Sequence, residues 1–184
     1  MHFRASRRSL QHAMRAWLLA FGLCALAAAA RAQNAAEARE LLRAGKTAEA
    51  MAKLEQALTR QPADTELRFL RAVVLAEQKR SAEAIEQYAW LIADQPQLPE
   101  PYNNLGVLYA GDKQYDKART AFEMAVRLRP GYAAAHENLA DVHAALAGLA
   151  YARALELDAD NAGLARKLAQ TRLLLGMPPP AGRH

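Results

Sequence analysis

The sequence predicts an all-α fold, an α-solenoid built from repeated pairs of antiparallel helices. Three prolines, Pro62, Pro96 and Pro130, recur at intervals of 34 residues, and the same small and apolar residues return in phase around each of them. A period of this length is typical of helix pairs that bury their apolar faces only against their neighbours. We therefore expect the function to lie on a surface of the stack rather than in an enclosed pocket.

Each of the first three repeats contains two apolar stripes at helical spacing, which predict two helices. Small residues let two helix backbones approach closely, and large residues fill the adjoining gaps. A short turn at Gly45, Lys79 or Lys113 separates the helices, and the hydroxyls of Thr47 and Ser81 are predicted to cap the second helix. Each proline ends its repeat because it cannot continue a helix. The columns predicted to pack are Ala38, Ala72 and Gly106; Leu41, Leu75 and Tyr109; Ala50, Ala84 and Ala118; Leu54, Tyr88 and Phe122; and Ala57, Leu91 and Ala125.

The fourth repeat departs from this pattern. His136, Leu139, Ala140 and His143 keep the phase, but the aromatic residue expected next, Tyr151, arrives early. The residues between the two halves are strong helix formers, which disfavour a tight reversal. We predict one long or bent helix from about Ala133 to Leu157, and then a turn over 158–161 that ends in a helix cap.

A final amphipathic helix is predicted from about Ala162 to Leu175, with Gly176 ending it. Its Leu164, Leu168 and Leu175 are expected to shield the open end of the core.

The third repeat resembles the tetratricopeptide repeat (TPR) family. The residues that carry the resemblance are Tyr102, in the place of the family's tryptophan, and Leu105, Gly106, Tyr109, Ala118, Phe122 and Pro130. The resemblance covers roughly residues 33–161 and weakens toward the first repeat, as expected of a terminal repeat with one face in water. It implies a right-handed superhelix whose concave face binds peptides or proteins.

In the TPR family, the residues beside the small-residue column line the concave groove. The resemblance therefore implies apolar groups in the second repeat and amide and acidic groups after it, which suit an extended peptide. The lysines with which some members bind a terminal carboxylate are missing, and Glu137 and Asp141 would repel an anionic end. The implied groove residues are Phe69, Leu70, Val73, Asn103, Asn104, Val107, Glu137, Asn138 and Asp141, preceded by Ala35, Ala36 and Arg39 in the first repeat.

Residues 1–32 have the composition of a cleaved export signal. A basic start is followed by an apolar run, Ala16 to Ala30, that is too short to span a bilayer comfortably, and then by small residues. We expect cleavage between Ala32 and Gln33, a periplasmic protein, a TPR domain over 33–176 and a disordered tail over 177–184. Sec and twin-arginine export both stay open, and Met14 is an alternative start to Met1.

The composition excludes several classes of function. Five of the 24 Lys and Arg but none of the 19 Asp and Glu lie in residues 1–32, so the remainder is balanced and a nucleic-acid partner is not expected. The single cysteine, Cys24, also lies there, so no disulfide is expected.

Phosphate-binding, zinc-protease and nucleophile-elbow motifs are absent from the sequence. His136 and His143 are interpreted as packing residues, and Glu137 and Asp141 are predicted to lie on a different face of the same helix. We thus predict no enzyme activity, no cofactor and no metal.

The resulting hypothesis is a periplasmic scaffold or adaptor that binds another envelope protein or an extended peptide through its concave groove. No membrane insertion is expected after signal cleavage. The alternative is a homo-oligomeric structural component, since the long fourth helix and the leucine-rich terminal helix could pair two copies as a homodimer.

Overall fold

A computed structural model describes residues 32–178, and these residues form helices joined by short turns, with no strand among them. The fold is therefore all-α, as predicted. Apart from Ala32, the predicted leader lies outside the described residues. The helices are α1 (32–43), α2 (Thr47–Arg60), α3 (Thr65–Glu77), α4 (Ser81–Asp94), α5 (Pro99–Gly111), α6 (Tyr115–Leu128), α7 (Ala133–Leu157) and α8 (Ala162–Leu174).

The contacts divide the chain into two compact units, one ending at Gln78 and the other beginning at Lys79. In the first unit α2 packs on α3, and ion pairs join Glu37 of α1 to Lys53 of α2 and Arg39 of α1 to Glu66 of α3. In the second unit each helix from α4 to α8 packs on the next, and α5 also contacts α7.

The residues that the repeat pattern assigned to packing are largely buried within their own units. Leu54 and Leu75 are fully buried in the first unit, and Tyr88 and Phe122 are buried in the second. Gly106 shows why one column must be small, since a Cβ atom there would lie 2.6 Å from the ring of Phe122. The predicted burial of these columns is confirmed within each unit, except that Leu41 and Tyr109 are half-buried.

The turns within the helix pairs use residues with left-handed backbone. The φ angles of Gly45, Lys79 and Lys113 are 71°, 61° and 60°. At Lys113 the backbone N–H donates to the carbonyl of Ala110 (3.0 Å), and the next N–H donates to that of Tyr109 (2.8 Å), which satisfies the end of α5. A lysine bears a steric cost in this conformation that glycine avoids.

The helix caps differ from the prediction. Thr47 and Ser81 begin α2 and α4, but as first helical residues, so the cap positions fall to Lys46 and Arg80, whose side chains make no cap hydrogen bond. Side-chain caps occur instead on α3, where Asp64 accepts from the Leu67 N–H, and on α8.

The fourth repeat is one continuous helix, α7, with the predicted bounds. Because α7 does not fold back on itself, no second helix of the same repeat covers the face that carries His136 and His143. Both side chains are exposed, which corrects the expectation that they pack, and the small residue Ala140 is exposed as well.

Helix α8 covers one side of α7, as the sequence predicts. The Asn161 side chain caps α8 by accepting from the Leu164 N–H (3.1 Å). Thr171 is buried against Gly148 of α7, and the predicted leucines of α8 are half-buried. The helix ends at Leu174, one residue before the predicted end, and Gly176 follows with a φ of 64°. Of the predicted tail, Met177 and Pro178 are described and residues 179–184 are not.

Candidate functional site

In the first unit Ala36 and Arg39 of the implied groove are exposed on α1, where Arg39 pairs with Glu66, and two apolar groove residues of α3 are partly accessible. Phe69 and Val73 lie one turn apart on α3, and each is half-buried. Leu70, in contrast, is only 5% exposed because it belongs to the buried face of α3. Ala35 of α1 is likewise buried. Neither of these two residues can meet a partner, which corrects the expectation that they line a groove.

In the second unit the asparagines bind one another. The Nδ2 of Asn138 donates to the Oδ1 of Asn103 (2.9 Å), and the Nδ2 of Asn103 donates to the Oδ1 of Asn104 (3.3 Å). Asn104 in turn donates to the hydroxyl of Tyr88 (3.0 Å). These hydrogen bonds link α4, α5 and α7. Asn103, which is 6% exposed, therefore positions helices rather than lining an open groove.

Three of the implied groove residues meet at a cavity of about 250 Å³ in the second unit: Val107 of α5, and Asn138 and Asp141 of α7. Val107 is 48% exposed, so part of its apolar side chain is accessible beside this cavity. Glu137 is exposed one turn before Asp141. The volume lies below the roughly 300–1,000 Å³ that is usual for small-molecule pockets, so the cavity suits one side chain of a larger partner.

The sequence interpretation missed part of this lining. Tyr115, Leu175 and Met177 also line the cavity, and Met177 lies in the segment for which the sequence predicts a disordered tail. Gly176 was the available signal, because a helix that ends in a left-handed glycine often brings the next residue back against its last turn.

A second cavity, of about 540 Å³, lies between α4, α5 and α6. Its wall is mainly apolar, and the amine of Lys117 lies 5.4 Å from the centroid of the Tyr109 ring. None of the implied groove residues lines this cavity. Among its lining residues are Ile92, Tyr102, Leu105, Tyr109, Lys117 and Met124.

The described residues contain no group of three or more His, Cys, Asp or Glu side chains that could hold a metal ion. The pKa of Glu37 is lowered because its carboxylate accepts hydrogen bonds from Lys53 and Gln33. The pKa of Tyr132 is raised, mainly because burial disfavours its anion. Neither of these side chains lines the cavity beside Val107.

Over 32–178 no helix has the length and hydropathy needed to cross a membrane.

Comparison with known proteins identifies the repeats. Two family models, both described as tetratricopeptide repeat, match residues 35–99 and 99–132 and so cover more than half of the chain. The second match ends directly before α7, the helix that departs from the repeat pattern.

A curated relative, the Tetratricopeptide repeat domain-containing protein PYG7, chloroplastic, of Arabidopsis thaliana, is 38% identical over 95 residues. The match covers 48% of this chain and 31% of the relative, so the chain spans less than a third of that protein. Among solved structures, Pseudomonas aeruginosa pilF gives a TM-score of 0.60 at 21% identity, over 86% of this chain and 79% of its own. The first TPR of Spaghetti (RPAP3), bound to HSP90 peptide SRMEEVD, gives 0.58 at 20% identity, over 62% of this chain and 90% of its own.

TPR proteins generally act as protein-interaction scaffolds that bind peptides or proteins, and their fold is typically non-catalytic. The buried repeat columns, the positions of the turns and the two family matches lead to the same assignment. The chain belongs to the tetratricopeptide repeat family.

Proposed function

We propose that the protein is a scaffold or adaptor that binds another protein, or an extended peptide, through the surface around Val107. The observation that carries the proposal is that Val107, which is 48% exposed, lines one cavity together with Asn138 and Asp141. An apolar contact beside a few polar groups is the arrangement found at the centre of many interaction sites. Binding of this kind involves no covalent step.

The charge of the surface defines the partner further. Glu137 and Asp141 are both exposed, and neither forms an ion pair with another described residue. A partner segment with one apolar side chain next to Lys or Arg would match this surface. The peptide held by the RPAP3 structure carries three acidic residues. The present protein would have the opposite preference.

The first unit offers a separate apolar contact, formed by Phe69 and Val73 on α3. Since both side chains are partly accessible and lie one turn apart, we assign them a supporting role in holding a longer partner.

The binding proposal is tested by Val107→Lys, with Leu149→Lys as the matched control. Leu149 is 57% exposed on α7 and does not line the cavity beside Val107. Crosslinking in intact cells, followed by mass spectrometry, should recover a partner with the parent chain and with Leu149→Lys but not with Val107→Lys. Equal recovery with both variants, at unchanged helicity, would rule out this surface.

We further propose that the protein works in the periplasm and that its partner is another envelope protein. The support is the sequence of residues 1–32, with its basic start, apolar run and small residues before Gln33. Mass spectrometry of protein from fractionated cells should find a chain beginning at Gln33 in the periplasmic fraction. A chain that keeps residues 1–32 and stays in the cytoplasm would refute the location.

A second candidate function is self-association as a structural component. The observation that favours it is a set of exposed leucines at the C-terminal end, Leu157 of α7 (78%), Leu173 (78%) and Leu174 (75%) of α8. If two copies pair through these side chains, Leu157→Glu with Leu173→Glu should lower the mass measured by light scattering. A monomer mass at every concentration of the parent chain excludes this role.

A further inference from the structure

We propose that the cavity between α4, α5 and α6 binds a single-chain anionic amphiphile, a molecule with one hydrocarbon chain and one carboxylate. This site is separate from the surface of the proposed function, because the two cavities share no lining residue. All three helices belong to the second unit, so the site requires no residue of the first unit.

The size and the wall of this cavity suit an apolar chain. Its volume of about 540 Å³ falls within the roughly 300–1,000 Å³ that is usual for small-molecule sites. Five large side chains of the wall are half-buried: Ile92, Tyr102, Leu105, Tyr109 and Met124. A hydrocarbon chain lying against these side chains would remove apolar surface of both molecules from water, which is favourable.

The charges at the cavity favour an anion as the head group. Two ionised side chains line the cavity, Asp116 and Lys117. The carboxylate of Asp116 has the guanidinium of Arg119 at 3.1 Å. The amine of Lys117, in contrast, forms no ion pair with another described residue, and it contacts the Oε1 of Gln114 (2.7 Å) and the ring of Tyr109 (5.4 Å to the centroid). The lysine is therefore the charged group that a ligand would complement, and it requires a negative charge.

Tyr109 offers a second donor for the same head group. Its hydroxyl forms no hydrogen bond with another described residue, whereas the hydroxyl of Tyr102 donates to the carbonyl of Pro96 (3.3 Å). Because the amine of Lys117 lies over the Tyr109 ring, both donors border the same part of the cavity. A carboxylate has two oxygens and accepts from both donors, and it is ionised at neutral pH.

The test compares two probes that share a hydrocarbon chain and differ in charge, dodecanoate and dodecyltrimethylammonium. Each is added to the full chain at pH 7, below the concentration at which it forms micelles, and binding is measured by calorimetry and by nuclear magnetic resonance. We expect dodecanoate to bind more tightly than the cationic probe and to shift the signals of Ile92, Leu105 and Met124 but not that of Val107. Octanoate should bind more weakly than dodecanoate, by about fourfold for each methylene group that the cavity buries.

A lysine in a comparable setting provides a matched control variant. Lys167 lies 5.6 Å from the centroid of the Tyr151 ring, is exposed and does not line this cavity. Lys117→Gln should weaken the binding of dodecanoate by up to about fivefold, the range expected of an exposed ion pair. Lys167→Gln, which changes the net charge equally, should leave the affinity unchanged. Circular dichroism of both variants checks that their helicity is intact.

Four results would overturn the proposal. They are no binding of dodecanoate, equal affinity for the anionic and the cationic probe, equal effects of Lys117→Gln and Lys167→Gln, and shifts at Val107 in place of Ile92. The comparison of the two probes needs no variant, so it decides the point even if a substitution alters the fold. Sedimentation of the chain with vesicles of anionic phospholipid, without binding of free dodecanoate, would assign the anion to a membrane surface and refute a single-chain ligand.

Discussion

Replacing Gly106 with alanine tests the packing of the third helix pair directly. A Cβ atom at this position would lie 2.6, 2.7 and 2.8 Å from the Cε1, Cδ1 and Cζ atoms of Phe122. Carbon atoms in van der Waals contact are about 3.5–4.0 Å apart. The Phe122 ring would thus have to move by about 1 Å.

The ring has little room to move. Phe122 is 1% exposed and packs with Ala118 and Val142 in the core of the second unit. Overpacking of this kind costs about 1–3 kcal/mol, and the better helix propensity of alanine returns about 0.5–1 kcal/mol. The net loss is therefore about 0–2.5 kcal/mol, and its midpoint near 1 kcal/mol should lower Tm by roughly 2–4 °C in a chain of this size.

The matched control is Gly111→Ala at the end of the same helix, where a Cβ atom would meet nothing within 4 Å. It should stabilise the protein by about 0.4–1 kcal/mol. Stability is measured from thermal and urea unfolding followed by circular dichroism at the helix band. In the double variant Gly106→Ala with Phe122→Leu, the smaller side chain should recover part of the loss as a coupling energy of about 0.5–3 kcal/mol.

If Gly106→Ala is as stable as the parent chain while Gly111→Ala is stabilised as expected, the close approach of the Phe122 ring does not explain the glycine at position 106.

Three further predictions concern single contacts. Lys113→Gly removes a left-handed lysine (φ 60°) and should raise the free energy of unfolding in urea by up to about 1 kcal/mol; a decrease would contradict the turn geometry. Asn138→Ala leaves the buried Oδ1 of Asn103 without its donor and should cost about 1–3 kcal/mol in the same assay, whereas no loss would mean that the hydrogen bond is immaterial. Lys53→Met removes the main donor to Glu37, whose pKa should rise toward its ordinary value of 4.5 in a carboxyl titration by nuclear magnetic resonance. Because the pKa of Glu37 is lowered in the folded parent chain, the Glu37–Lys53 pair stabilises the fold at neutral pH. This stabilisation is lost as the pH falls through the folded-state pKa of Glu37. An unchanged pKa of Glu37 in the variant would refute the contact.

The arrangement of helices follows from local patterns in the sequence. The spacing of Ala50 and Leu54, repeated at Ala84 and Tyr88, marks one buried stripe per helix, and a stripe of this kind depends only on residues a few positions apart. The long helix α7 was predictable for the same reason, since the residues between its halves contain no turn signal. The caps were less predictable, because Thr47 and Lys46 are neighbours and either could occupy the cap position.

The candidate site was predicted only in part. Val107, Asn138 and Asp141 do line one cavity, while Leu70 is buried and Asn103 is held in a hydrogen bond to Asn138. The sequence places such residues on a helix, but their exposure depends on which other helix packs against them.

Local sequence patterns are enough to predict helix pairs in a regular series, a single long helix in place of the fourth pair and a final helix that packs on it. Which side chains are accessible depends on tertiary packing. His143 is exposed because α7 does not turn back, and Met177 borders the cavity because Gly176 reverses the chain beside residues about 35 and 70 positions earlier. Helix formation is local, whereas accessibility is set by contacts between residues far apart in the chain, and a periodic pattern carries no record of those contacts.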